Sequence, residues 1–364
     1  MLTFGEVVAV SAEIGATRSR LLKVAALAGI LRRAEGEAEV RAEGEAEVQA
    51  VVSFLTGAPR QGRIGAGWRT IVGVVAEPAV EAGLTVTGVD AAFEEVSGTG
   101  GVGSSARRAQ VLGALFAAAT VDEQRFLRAL LTGELRQGAL EGVMLDAVAK
   151  AGEVPGEAVR RAFMLSGALP ATAWAALSGG AEALSAFRLE LGRPVRPMLA
   201  SPGSSLTEAL AELGSCLIEY KLDGARVQVH KNGDDVRVWT RTLREITASV
   251  PELVNLVRSL PCRAVVLDGE TLALGDDGRP RPFQETMSRF GSTVEEQVRA
   301  LLLRPYFFDC LHLDGTDLID EPLRTRREAL ARAVGEHVIP GAVEPSTADA
   351  EALAARALSA GHEG

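Results

Sequence analysis

Up to residue 187 the apolar positions recur at helical spacing. Amphipathic, alanine-rich stretches at roughly 106–119, 122–133, 139–151 and 157–167 predict helices. Glycine and proline punctuate them, and little of this half alternates like a strand. Asp122 and Gly138 or Gly156 read as cap or linker positions. The segment 188–204, RLELGRPVRPMLASPGS, carries Pro194, Pro197 and Pro202, which forbid a continuous helix. Beyond it the texture changes. IEYKLDG, ARVQVHKNGDDVRVWTR, AVVLDGETLAL and RPYFFDCLHLDG place Val, Tyr, Phe and Trp at alternating spacing, the signature of strands. Arg226–His230 and Val236–Trp239 flank the turn Lys231-Asn-Gly-Asp234, a strong hairpin signal. Helical stretches at 205–213, 293–304 and 322–334 lie between the strands. The chain is therefore expected to be α+β: a helical domain over 1–187, a linker over 188–204, and an antiparallel-sheet domain over 205–364.

An octad, AEGEAEVR at 34–41, is followed by AEGEAEVQ at 42–49. Two short copies cannot stack a core, and the acidity suggests a solvated insertion without function.

With 47% hydrophobic residues in 364, a sizeable core is possible. No apolar run reaches the ~18 residues of a membrane span. The start, MLTFGEVVAV, lacks the basic and long apolar regions of a signal peptide. Cys216, Cys262 and Cys310 are scattered with no C-x-x-C pair, which argues against a disulfide framework or a zinc site and for a reducing cytoplasm. The net charge of −10 lowers the expectation of nucleic-acid binding, although a local basic patch is compatible with it. Of the 38 basic residues only Lys23, Lys150, Lys221 and Lys231 are lysines. Where arginine is the default cation, a lysine is a candidate chemical requirement, because only lysine can deprotonate to act as a nucleophile.

Lys221 lies in Glu219-Tyr-Lys-Leu-Asp-Gly-Ala-Arg226, after the apolar run Cys216–Ile218 and before a glycine turn. A lysine at a strand end can point into a cleft, where partial desolvation or a nearby arginine would expose its lone pair. Asp223 is better placed to fix the turn than to move protons. The bland alternative, a surface lysine, is displaced by the surrounding pattern.

Lys-Leu-Asp-Gly-Ala-Arg resembles the K-x-D-G-x-R signature of covalent nucleotidyltransferases: ATP-dependent DNA ligases, RNA ligases and mRNA-capping enzymes. Thr240–Thr247, Leu267-Asp-Gly-Glu270 and Tyr306-Phe-Phe-Asp309 resemble the next motifs of ligases in order and spacing, as do Pro282-Phe-Gln284 and Arg289. The resemblance implies an adenylation (nucleotidyltransferase) domain over 205–364 that takes ATP and Mg²⁺. Lys221 would be the adenylylated residue and Glu219 would contact adenine. Arg226 and Arg241 would contact ribose or phosphate. Glu270 would bind the ribose hydroxyl or a metal ion, and Phe308 would stack on the base. Phe307 or Phe308 is expected in the core, and Trp239 and Tyr306 are expected to pack. His230, His312, His337 and His362 do not cluster and take no role. Gly98–Gly103 resembles a phosphate cradle but lacks the ending of a P-loop, so it reads as a loop; a DNA-phosphate contact at the helix after Ser104-Ser105 is the weaker reading.

Gln137–Gly142, Arg63–Trp68 and Pro194–Met198 resemble the helical DNA-binding domain and linker of archaeal, eukaryotic and actinobacterial DNA ligases. The implied partner is nicked double-stranded DNA, the implied state a monomer with no membrane association. The chain stops at Ala360-Gly-His-Glu-Gly364, where the family continues into further motifs and an oligonucleotide-binding (OB-fold) barrel. A C-terminally truncated ligase is thus expected, with an incomplete adenylation domain and Glu363 as a metal ligand without its surroundings. The competing expectations are a catalytically dead DNA-binding remnant and an RNA ligase or capping-type enzyme. The helical half speaks against the latter, and NAD⁺ as donor is disfavoured.

Overall fold

A computed structural model of the chain describes all residues except 37–40, 63, 136–140, 276–278, 289 and 291–302, and the side chain of Arg41. The helix expected at 293–304, Arg63, Arg289 and the segment 137–140 therefore lie wholly or mostly outside the described residues. The chain divides into two compact units, Met1–Arg188 and Leu189–Gly364.

The first unit is helical. Its described helices are α1 (Phe4–Ala16), α2 (Arg20–Gly36), α3 (Arg41–Thr56), α4 (Trp68–Val72), α5 (Val86–Gly98), α6 (Ser104–Ala117), α7 (Val121–Thr132), α8 (Glu141–Ala151), α9 (Gly156–Ser166) and α10 (Leu169–Ser185). Capping boxes start two of them: Thr3 with Glu6, and Thr120 with Glu123. Thr120, not Asp122, is thus the cap of α7, because its hydroxyl reaches the Glu123 amide while Asp122 already lies in the first turn. The helices close on a core knit by edge-to-face aromatic pairs: Phe4 stands 5.8 Å from Phe54 and 5.6 Å from Phe126, and Phe54 stands 5.8 Å from Phe93.

The second octad departs from the expected solvated insertion. It forms the first turns of α3, where Glu47 and Val48 are buried. The Leu2 amide donates to Glu47 Oε1 at 2.6 Å, so one acidic side chain of the repeat satisfies a buried backbone donor at the start of the chain.

The second unit is built on an antiparallel sheet. Its strands are β1 (Leu217–Glu219), β2 (Ala225–Asn232), β3 (Asp235–Thr240), β4 (Ala264–Ala273), β5 (Leu303–Leu313), β6 (Thr316–Asp317) and β7 (Gly341–Val343). Five of them pair in the order β3-β2-β4-β5-β6, and β1 pairs with β7 in a separate ribbon. Asn232 pairs with Asp235 around the two-residue turn Gly233-Asp234; Gly233 takes φ +61°, which a Cβ would disfavour. Helices α11 (Leu206–Leu213), α12 (Pro251–Ser259), α13 (Phe283–Ser288), α14 (Leu323–Val334) and α15 (Thr347–Ser359) accompany the sheet. Leu253, Val254 and Val257 of α12 and Ala329, Leu330 and Ala333 of α14 join Val227, Val229, Leu267 and Phe307 in one core.

The proline-rich segment packs with this second unit. Val195 exchanges two backbone bonds with the Gln228 side chain, at 2.7 and 3.0 Å, and the Gly192 amide donates to His230 Nδ1 at 3.0 Å. Among the described residues no helix is long and apolar enough to cross a membrane.

Candidate active site

The chain turns sharply between β1 and β2, and glycine permits the turn. A Cβ on Gly224 would lie 2.5 Å from the Thr271 carbonyl oxygen and 2.6 Å from Leu272 Cδ2. The backbone therefore runs directly against β4, and the residues just before it, Lys221 to Asp223, line the cleft. Arg226 follows on β2, cross-strand from Glu270 on β4.

Phe308 reaches the same cleft by a different device. Gly269 pairs with Phe307 and Asp268 with Asp309, so Phe308 is the extra residue of a β-bulge. The bulge lets Phe307 stay buried in the core while Phe308 remains half-buried and lines the cleft. The expectation that one of the two phenylalanines is core is met by Phe307. Trp239 is buried, as expected for a packing residue.

The cleft has a volume of about 830 Å³, enough for a nucleotide. Glu219, Lys221, Arg226, Arg241, Glu270, Phe308 and Glu363 all line it, though they are spread from position 219 to 363. Phe283 and Met287, one turn apart on α13, add an apolar stretch of wall.

Lys221 does not occupy the partly desolvated position expected for it. Its side chain is 71% exposed and ion-paired with Glu363. The pairing follows from backbone geometry: the Lys221 amide donates to the Gly364 carbonyl at 2.6 Å and the Glu363 amide to the Lys221 carbonyl at 3.0 Å. Residues 363–364 thus run beside Lys221 like a short strand, with His362 5.5 Å from the Tyr220 ring.

Charge is arranged in opposed pairs. Arg226 forks onto Asp268, Nε to Oδ1 at 3.0 Å and Nη2 to Oδ2 at 2.7 Å, and its Nη1 donates to the Met198 carbonyl at 2.8 Å. The guanidinium carbon lies 5.4 Å from the centre of the Phe308 ring. Asp309 receives Arg326 Nε at 2.8 Å, and Glu219 receives Arg327. Burial pushes the carboxyls of Glu219 and Glu270 up to about 7, only partly countered by Arg327 for the first and by Arg226 and Lys221 for the second. Burial likewise raises Asp268 above the usual carboxylate range.

The sequence pattern gives no role to Asp268, although it lies within the Leu267–Glu270 motif, and does not single out Arg326 or Arg327. Arg327 and Glu219 are 108 positions apart, and two arginines on an amphipathic helix carry no local sign of a distant partner.

Among the described residues no group of three or more His, Cys, Asp or Glu converges as a cage for a metal ion. Mg²⁺ needs none, because it keeps several waters and takes one or two carboxylates together with substrate phosphates. Glu270 and Glu363, in one cleft, fit that mode; a cation there would favour the anionic form of the half-buried Glu270.

Comparisons with known proteins agree on the family. Residues 197–364 match the family described as ATP dependent DNA ligase domain, and residues 3–149 match the one described as DNA ligase N terminus. A probable DNA ligase of Rhodococcus opacus (strain B4) is 59% identical over 364 residues, covering all of this chain and 70% of its own length. A probable DNA ligase of Streptomyces griseus is 49% identical over 373 residues, covering all of this chain and 71% of its own. A solved structure described as Pmar-Lig_Pre shares the fold, with TM-score 0.51 at 14% identity over 98% of this chain and 72% of that one.

Proposed function

The chain belongs to the family of ATP-dependent DNA ligases, and from that premise we propose that Lys221 is the residue that carries AMP. The Lys221 amine attacks the α-phosphorus of ATP. The N–P bond forms as the bond to the bridging oxygen of pyrophosphate breaks, and the amine gives up its proton. AMP is then transferred to the 5′-phosphate of a DNA nick, and the adjoining 3′-hydroxyl displaces AMP to seal the strand.

The other residues hold the nucleotide. Glu219 accepts from the exocyclic amine of adenine. Phe308 offers an aromatic face to the base, with Arg226 beside it. Arg226 and Arg241 suit ribose or phosphate oxygens, because a guanidinium presents several donors in one plane. Glu270 and Glu363 would hold Mg²⁺, which supplies charge compensation for the triphosphate. The helical unit grips nicked duplex, consistent with its match to the N-terminal ligase domain. Three free cysteines suit a reducing cytoplasm.

The observation that supports this reading best is the convergence of seven dispersed residues, each of a type the chemistry requires, on one cleft. The test is incubation with α-³²P-labelled ATP and Mg²⁺. The expected result is a label on the wild type that survives alkali and is released by acid, as a P–N bond requires, and none on Lys221→Ala or Lys221→Arg. Equal labelling of wild type and Lys221→Ala removes the role from Lys221. No label at all, with salt-sensitive binding to nicked DNA retained, would favour a binding-only protein.

A further inference from the structure

Arg327 touches the cleft only through other groups. From α14 its Nη1 donates to Glu219 Oε1 and its Nη2 donates to the Ile339 carbonyl at 3.0 Å. Glu219 and Ile339 both line the cleft, whereas Arg327 does not. The two partnered side chains are largely withdrawn from water, 18% and 24% exposed. The carbonyl is fixed in turn, because the Ile339 amide donates to Phe307 on β5 at 2.9 Å, and the next carbonyl, of Pro340, receives the Tyr220 amide at 3.0 Å. One guanidinium therefore ties the end of β1, two residues before Lys221, to the segment that enters β7.

The electrostatics make that tie consequential. Glu219 is a half-buried carboxylate with a second one, Asp309, close enough to raise its pKa, and Arg327 is the cation that opposes both effects. Arg326 neutralises Asp309 from the adjacent position of the same helix. A carboxyl that took up a proton, or rotated to find another partner, could no longer accept reliably from an amine on a bound base.

We propose that Arg327 is the positioning residue for base selection: by gripping one oxygen of Glu219 and the Ile339 carbonyl, it keeps the other carboxylate oxygen available to the 6-amino group of an adenine nucleotide. The inference rests on the reading that Glu219 binds adenine, and the experiment separates the two. A purine that lacks the 6-amino group leaves a charged acceptor unpaired, so binding should weaken by about tenfold or more.

The full chain is titrated calorimetrically with ATP and with purine riboside triphosphate, as wild type, Arg327→Met, Arg327→Lys, Glu219→Gln and the Glu219→Gln/Arg327→Met double variant. A wild type with no preference for ATP overturns the Glu219 reading itself. Given a preference, Arg327→Met is expected to weaken ATP about tenfold and leave the analogue nearly unchanged, and the double variant to be no worse than Glu219→Gln alone. Arg327→Lys keeps the charge but not the fork, so it should retain an intermediate preference and serves if the methionine variant does not fold. Equal weakening of both nucleotides, additive losses in the double variant, or a wild-type preference in either Arg327 variant overturns the proposal, leaving Arg327 as a structural clamp.

Discussion

Arg226 and Asp268 form a two-bond fork between β2 and β4, with 22% and 10% of their side chains exposed, directly beside the ring of Phe308. The fork settles two problems at once. Asp268 pairs across the sheet with Asp309, so two like charges face each other, and each is answered by its own arginine, Arg226 or Arg326. It also holds Arg226 against the cleft wall where the nucleotide would lie.

Removing one partner of such a pair strands the other charge in a poorly solvated place. Asp268→Ala is expected to cost about 3 kcal/mol in stability. Urea denaturation should show a lower midpoint with an unchanged slope, and calorimetry should show weaker ATP binding. A variant as stable as the wild type would mean that water already screens the fork.

Gly224 is expected to tolerate no side chain. A Cβ there would overlap the Thr271 carbonyl and Leu272, backbone and core on which neighbouring strands depend. Gly224→Ala should destabilise by about 2 kcal/mol or more and displace Lys221 from its place in the cleft. Loss of AMP labelling together with a lowered thermal midpoint would show it; unchanged values of both would refute it.

Half-buried Glu219 and buried His230 predict opposite pH dependences. Glu219 titrates near 7 in the fold against 4.5 when unperturbed, so between those values the folded state binds more protons and stability falls as pH rises. Glu219→Gln should remove that fall, which is on the order of 1–2 kcal/mol. His230 is lowered by burial to about 3 against 6.5, so stability falls as pH drops below about 6.5. Its Nδ1 accepts from the Gly192 amide, which places the proton on Nε2, 3.0 Å from Gln228 Oε1, and leaves no room for a second proton without breaking a bond. His230→Gln should flatten the acid limb. Urea midpoints measured from about pH 4 to about pH 8 test both; curves parallel to the wild type would contradict them.

Lys231 explains a second of the scarce lysines without any catalysis. It is buried, and its Nζ donates to the Arg258 and Leu260 carbonyls at 2.8 and 2.7 Å, at the end of α12. Those carbonyls lack helical partners, and a cation suits that end of the dipole. Lys231→Met should cost about 2–3 kcal/mol in denaturation experiments while leaving ATP affinity at the wild-type value. A change in affinity would place Lys231 in the nucleotide machinery instead.

The division into a helical half and a sheet half and the β2–β3 hairpin were legible in the sequence, and seven residues singled out there line one cleft in the structure. These depend on local rules: apolar period, turn chemistry at Asn232-Gly233, and short motifs that resemble those of nucleotidyltransferases. The sequence pattern misjudged Glu47, because an acidic repeat looks solvated until a distant amide needs an acceptor. It could not separate the roles of Phe307 and Phe308, because a bulge is a mismatch between two strands and belongs to neither one alone. That Lys221 is exposed beside Glu363, and which arginine answers which carboxylate, emerges from the packing of the strands and helices in space. Charge pairing across 42 or 108 positions depends on where the strands and α14 are brought together, and local pattern holds no record of it.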